Sequence, residues 1–134
     1  MSTSFTLPTG PEGIPDSLLE RFNAGDVDAM MGLYDEDAVF VTNSGRSLTD
    51  PSEIRRELEG FLALKLPMTA HARHMIVADD IALLLLDWEI EGTGPNGRHV
   101  HLKGSATDIA RRGADGLWRY LIDNPYGTRF REQV

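Results

Sequence analysis

Asp108 stands where a charge is costly. It lies well inside a run that reads as a long strand, with Ala106 and Ala110 beside it on the same face. A buried carboxylate without a partner is unfavourable, so the position needs an explanation. Its small neighbours leave space, as a pocket would. In a dry pocket the acid keeps its proton to higher pH and serves as a hydrogen-bond donor to an oxyanion or as a general acid/base. A structural ion pair with Arg73 or Arg119 is the competing reading.

His74 is the second candidate. It alternates with Ala70, Ala72 and Ile76, which would put it on a shared concave face opposite the carboxylate as a proton-transfer partner. A cross-strand hydrogen bond or a solvent-facing ring is the alternative. His71, His99 and His101 offer less. His99 and His101 flank a loop in H-x-H spacing without nearby carboxylates in the sequence, a poor metal site, so neither metal nor cofactor is expected. Trp88 shares a face with Leu86 and Ile90, while Asp87, Glu89 and Glu91 take the other; its ring either stacks on a flat ligand or packs in the core. Tyr34, Asn43 and Tyr126 are polar handles that could reach a cavity mouth, although core or rim placement is their commoner fate. Asp123 ends the last strand and either caps the sheet edge or faces the cavity mouth, the structural role being the favoured one. Trp118 is assigned to packing. The pairs Arg55-Arg56 and Arg111-Arg112 read as solvated charges.

The elements that must position these residues follow from periodicity and boundary signals. Ile14, Leu18, Leu19 and Phe22 share a helical face that ends at Asn23-Ala24-Gly25. Asp26 caps a second short helix carrying Val27, Met30, Met31 and Tyr34. Ala38 to Asn43 is a strand turned by Ser44-Gly45. Asp50-Pro51-Ser52-Glu53 combines an N-cap acceptor, a proline at N1 and an acid at N3, and opens a third helix with Ile54, Leu58, Phe61 and Leu62. After Pro67 the period becomes 2, giving strands over 68–78, 81–91, 98–112 and 117–124. The fold class is α+β: three N-terminal helices packed on the concave face of a strongly curved, mostly antiparallel sheet, making a cone. Residues 1–13 form a flexible tail, 14–127 a single domain and 128–134 a C-terminal tail.

The chain resembles the SnoaL-like branch of the nuclear-transport-factor-two-like superfamily, the fold of ketosteroid isomerase and polyketide cyclases. The resemblance rests on FNAGDVDAMMGLYDEDAVFV (22–41), the capped third helix and TDIARRGADGLWRYLIDNP (107–125). It implies that Trp88 occupies a pocket-lining aromatic position. Ketosteroid isomerase uses an aspartate base with a tyrosine and a protonated aspartate as oxyanion hole. The matching positions here are Thr42, Leu18 and Asp108, so one of three groups survives and steroid isomerisation by that mechanism is rejected. Thr42 is retained only as a ligand-contacting residue. SnoaL-like cyclases resemble the arrangement around Asp108, using a carboxylate on this strand as acid/base.

Composition limits the partners. A net charge of −8 over 134 residues argues against nucleic acid. The longest apolar run, Ile81–Leu86, is far short of a bilayer span. Zero cysteines and no recognisable signal segment make a cytoplasmic protein the expectation. Three functions remain open: a cofactor-independent isomerase, cyclase or dehydratase acting on an apolar, carbonyl-bearing molecule; a carrier of a small apolar or aromatic molecule; and a scaffold. A homodimer through the outer face of the sheet is expected and is compatible with each.

Overall fold

The computed structural model describes residues 5–129. Helices α1 (Ile14–Asn23), α2 (Val27–Met31) and α3 (Pro51–Leu62) accompany strands β1 (Tyr34–Val41), β2 (Ser47–Leu48), β3 (Met68–Ala78), β4 (Ile81–Thr93), β5 (His99–Arg112) and β6 (Trp118–Asp123). The sheet order is β2-β1-β6-β5-β4-β3. Every neighbouring pair is antiparallel except β1 with β6, so the sheet is mixed and open. Ile14, Phe22, Met30 and Leu58 from the helices meet Leu84, Leu86, Trp88 and Ile90 of β4 in one core, which covers one face of the sheet.

The helix starts behave as their chemistry requires. Asp26 accepts from the Ala29 amide at 3.0 Å, and Asp50 accepts from the Ser52 amide at 2.9 Å. Asn23 does more than end α1. Its side chain exchanges two hydrogen bonds with the backbone of Met68, tying the first residue of β3 to the helix.

Three expectations need correction. Tyr34 opens β1 rather than extending α2, because the chain turns at Gly32 and the Leu33 carbonyl accepts from the Tyr120 amide at 2.8 Å. The Ser44-Gly45 turn leads back into a short strand, β2, paired to Phe40 and Val41. Residues 5–13 are packed rather than loose. Leu7 and buried Pro11 sit against the body, the Pro8 carbonyl accepts from Trp118, and buried Arg21 donates to the Thr6 carbonyl at 3.3 Å. Residues 1–4, and 130–134 of the C-terminal tail, lie outside the described residues.

Two irregularities decide which way side chains face. In β3, Ala72 pairs with Leu86 and His74 with Leu85, leaving Arg73 as an extra residue. In β6, Ile122 pairs with Ile109 and Tyr120 with Ala110, leaving Leu121 extra. Each is a β-bulge, and each reverses the in–out phase of the residues beyond it.

Candidate functional site

Asp108 faces the helices and is only 2 % exposed. Neither arginine considered as its partner reaches it. Arg73 pairs with Asp87 at 3.1 Å and Arg119 with Asp115 at 2.7 Å. Instead Asp108 accepts from the Asn124 amide at 2.8 Å and hydrogen-bonds the carboxyl group of Asp123.

Asp123 takes the less favoured of its two expected places. Unbroken alternation from Trp118 and Tyr120 would turn it outward, but the bulge at Leu121 turns it inward and leaves it 8 % exposed. Its Oδ2 accepts from the hydroxyl of Tyr34, which the start of β1 brings across from the neighbouring strand. Tyr34 stacks at a tilt on Tyr120, with centroids 5.4 Å apart. The readable signal was a second aspartate fifteen residues after Asp108 across a tight turn, but its inward orientation depends on the bulge.

Burial pushes the Asp108 carboxyl well above the usual carboxylate range, and the neighbouring Asp123 charge adds to that rise. Burial also raises Asp123, while donors from Tyr34 and Asp108 pull it back. Asp108 is therefore the member that holds the proton and donates it towards Asp123. Tyr34 and Tyr120 are both pushed well above the ordinary phenol value by burial first and by the carboxylates second, so both remain neutral hydroxyls.

The pair sits at one end of an apolar cavity bordered by Leu86, Trp88, Ala106, Met30 and Phe40, with half-buried Leu18, Phe61 and Met68 towards the outside. The enclosed space is about 40 Å³, room for roughly three waters. Trp88 is fixed rather than free: its indole N–H donates to the Pro125 carbonyl at 2.7 Å, and its ring meets Phe61 and Tyr126 edge-on at 6.1 and 5.8 Å. Tyr126 supports the indole and does not border this cavity. A second cavity of about 80 Å³ reaches Asp108 from another side, past Ala72, His74, Met75 and Tyr120.

The structure separates several other candidates from the carboxyl pair. His74 borders that second cavity, but it is exposed and aligned with Leu85, because the bulge at Arg73 rotates it away from the face of Ala70 and Ala72. Thr42 is buried but turned to a different hollow with Arg46, Leu48 and Glu53, where its hydroxyl bonds Ser44. Asn43 is exposed in the adjoining turn. Neither joins the Asp108 cavity. The position matching the isomerase base is thus not merely the wrong residue type; it lines another depression.

Residues 16–121 match the SnoaL-like domain family. The chain belongs to the SnoaL-like family. Solved structures similar to this SnoaL-like chain agree on the fold. One is a candidate calcium/calmodulin-dependent protein kinase type II association domain from Thiobacillus denitrificans, at TM-score 0.73 and 19 % identity over 94 % of this chain and 100 % of that one. Another is a candidate dehydratase of the NTF2-like family from Streptomyces avermitilis, at TM-score 0.69 and 19 % identity over 83 % and 89 %. A third is a ketosteroid isomerase-like protein from Erwinia carotovora atroseptica, at TM-score 0.65 and 17 % identity over 84 % and 88 %. Identities this low carry the fold and no particular activity. No curated protein matches the sequence. Among the described residues no helix is long and apolar enough to cross a membrane.

Proposed function

We propose that this SnoaL-like domain is a cofactor-independent acid/base enzyme of dehydratase or cyclase type, acting on a small, apolar, carbonyl-bearing compound. The observation that carries the reading is the buried Asp108–Asp123 pair, which holds one proton beside an apolar cavity. Two carboxyl groups pushed to different protonation states supply an acid and a base from one site. Asp108 donates its proton to a carbonyl or leaving hydroxyl oxygen. In the same step Asp123, oriented by the Tyr34 hydroxyl, takes a proton from the carbon beside the carbonyl, so the pair keeps one proton and one negative charge, and the new carboxylate on Asp108 is held by the Asn124 amide. A ligand larger than a few waters enters by displacing Leu18, Phe61 and Met68, three of the half-buried lining residues, which include a flexible thioether.

The test uses 2-naphthol, a planar oxyanion mimic, titrated while Trp88 fluorescence and the Asp108 carboxyl carbon signal are followed. An enzyme of this kind binds the probe more tightly as Asp108 takes up its proton, Asp108→Asn removes that pH dependence, and Asp108→Ala weakens binding at least about tenfold, the order of one hydrogen bond. Binding that ignores both pH and the substitution would make the protein a carrier and remove the acid/base reading.

Assembly is the second reading. The outer face of the sheet presents Ile76, 51 % exposed, beside half-buried Leu83, Leu85, Ile109 and Ile122. A contiguous apolar strip of this kind marks an interaction surface. A second copy of the chain is the proposed occupant, and the likeness to a candidate association domain is compatible with it.

A further inference from the structure

Strand pairing assembles a cluster that the linear sequence does not reveal. Glu91 lies opposite His101 in the β4–β5 register, and Glu89 is one rung further along the same outer face. His101 Nε2 stands 2.6 Å from Glu89 Oε2, and His101 Nδ1 stands 3.8 Å from Glu91 Oε2. His99 Nε2 is 3.1 Å from the same Glu91 oxygen. The result is a zigzag of alternating imidazoles and carboxylates, His99–Glu91–His101–Glu89, which corrects the expectation that H-x-H lacked carboxylate company.

We propose that Glu89, Glu91 and His101 bind a divalent transition-metal ion, with Zn²⁺ the best match. One ligand atom from each lies within 4.8 Å of the others. Zinc bonds to imidazole and carboxylate at about 2.0–2.2 Å in tetrahedral geometry, which spaces ligand atoms about 3.4 Å apart. Side-chain rotations of about 1 Å therefore close the set around an ion that takes the place of the hydrogen bond between Glu89 and His101. Two carboxylates balance the ion's charge, and the imidazole selects a transition metal over Mg²⁺ or Ca²⁺, which favour oxygen. His99 acts one step out, orienting Glu91. The fourth position is left to water. Lys103 stands opposite Glu89 in register, yet the Glu89 carboxylate turns diagonally to His101 instead.

The test is calorimetric titration of Zn²⁺ into chelator-treated, tag-free protein, with imidazole ring NMR signals as a second readout. One ion per chain is expected, with His101 shifting and His71 and His74 still. His101→Gln abolishes binding, and His99→Gln weakens it about 10- to 100-fold. His101 is exposed, so an unchanged thermal unfolding curve will show that its variant is folded. Failure to bind at about 1 mM Zn²⁺, binding undiminished in His101→Gln, displacement by equal Mg²⁺, or one ion shared by two chains would each overturn the proposal.

Discussion

Asp108→Asn separates a proton-holding acid from an ordinary carboxylate through stability alone. The amide keeps the shape, can still accept from the Asn124 amide, and can donate to Asp123 where the acid did. Only the titration is removed. In the folded protein the Asp108 carboxyl ionises well above its ordinary value, whereas in the unfolded chain it ionises near about 3.9. A group raised on folding contributes stability that is fully present below the unfolded value and is lost as pH rises through the folded one. Between those limits the folded state carries one more proton than the unfolded state, so stability falls with pH by about 1.4 kcal/mol per unit. The variant lacks this slope. Wild type and Asp108→Asn should be close in acid, and the variant should gain about 1.4 kcal/mol relative to wild type for each pH unit until Asp108 ionises in the fold. Urea unfolding at a series of pH values from acid to neutral, with m-values checked for constancy, measures the difference. A variant that becomes more stable while losing the pH dependence of ligand binding is the pattern expected of a functional group held against its own preference. Parallel curves would mean that Asp108 titrates normally. A wild type that gains on the variant with pH would mean a carboxylate stabilised by a hidden cation. Either result refutes the reasoning.

Two further outcomes follow from the same geometry. Tyr34→Phe keeps the ring on Tyr120 but removes the donor to Asp123 Oδ2; loss of a buried, charge-assisted bond should cost about 1.5–3 kcal/mol at neutral pH and raise the Asp123 titration further, both readable by urea unfolding and carboxyl carbon NMR. Leu83→Glu puts a charge in the apolar strip of the outer face, between Ile76 and Ile109, and should convert a dimer to monomers in sedimentation velocity, without altering the Asp108 titration on the other side of the sheet.

Local chemistry determined much of this protein before any contact was known. Asp50-Pro51 fixes the start of α3 because capping involves residues within one turn. The long period-2 runs fix β3, β4 and β5 to within a residue or two, since alternation follows directly from the pleat. Asp108 was legible as a buried acid for the same reason: it lies in β5 where the alternation of inward residues is unbroken, with Ala106 and Ala110 on its face. What only the tertiary structure decided lies beyond irregularities or across strands. An extra residue at Arg73 sends His74 outward, and another at Leu121 brings Asp123 inward to Asp108. A period-2 pattern carries phase but not the place where phase is lost, because a bulge is set by how two strands fit their neighbours. The same holds for Glu91 and His101: nine residues, a loop among them, separate them in the chain, and only the register of β4 on β5 makes them opposite.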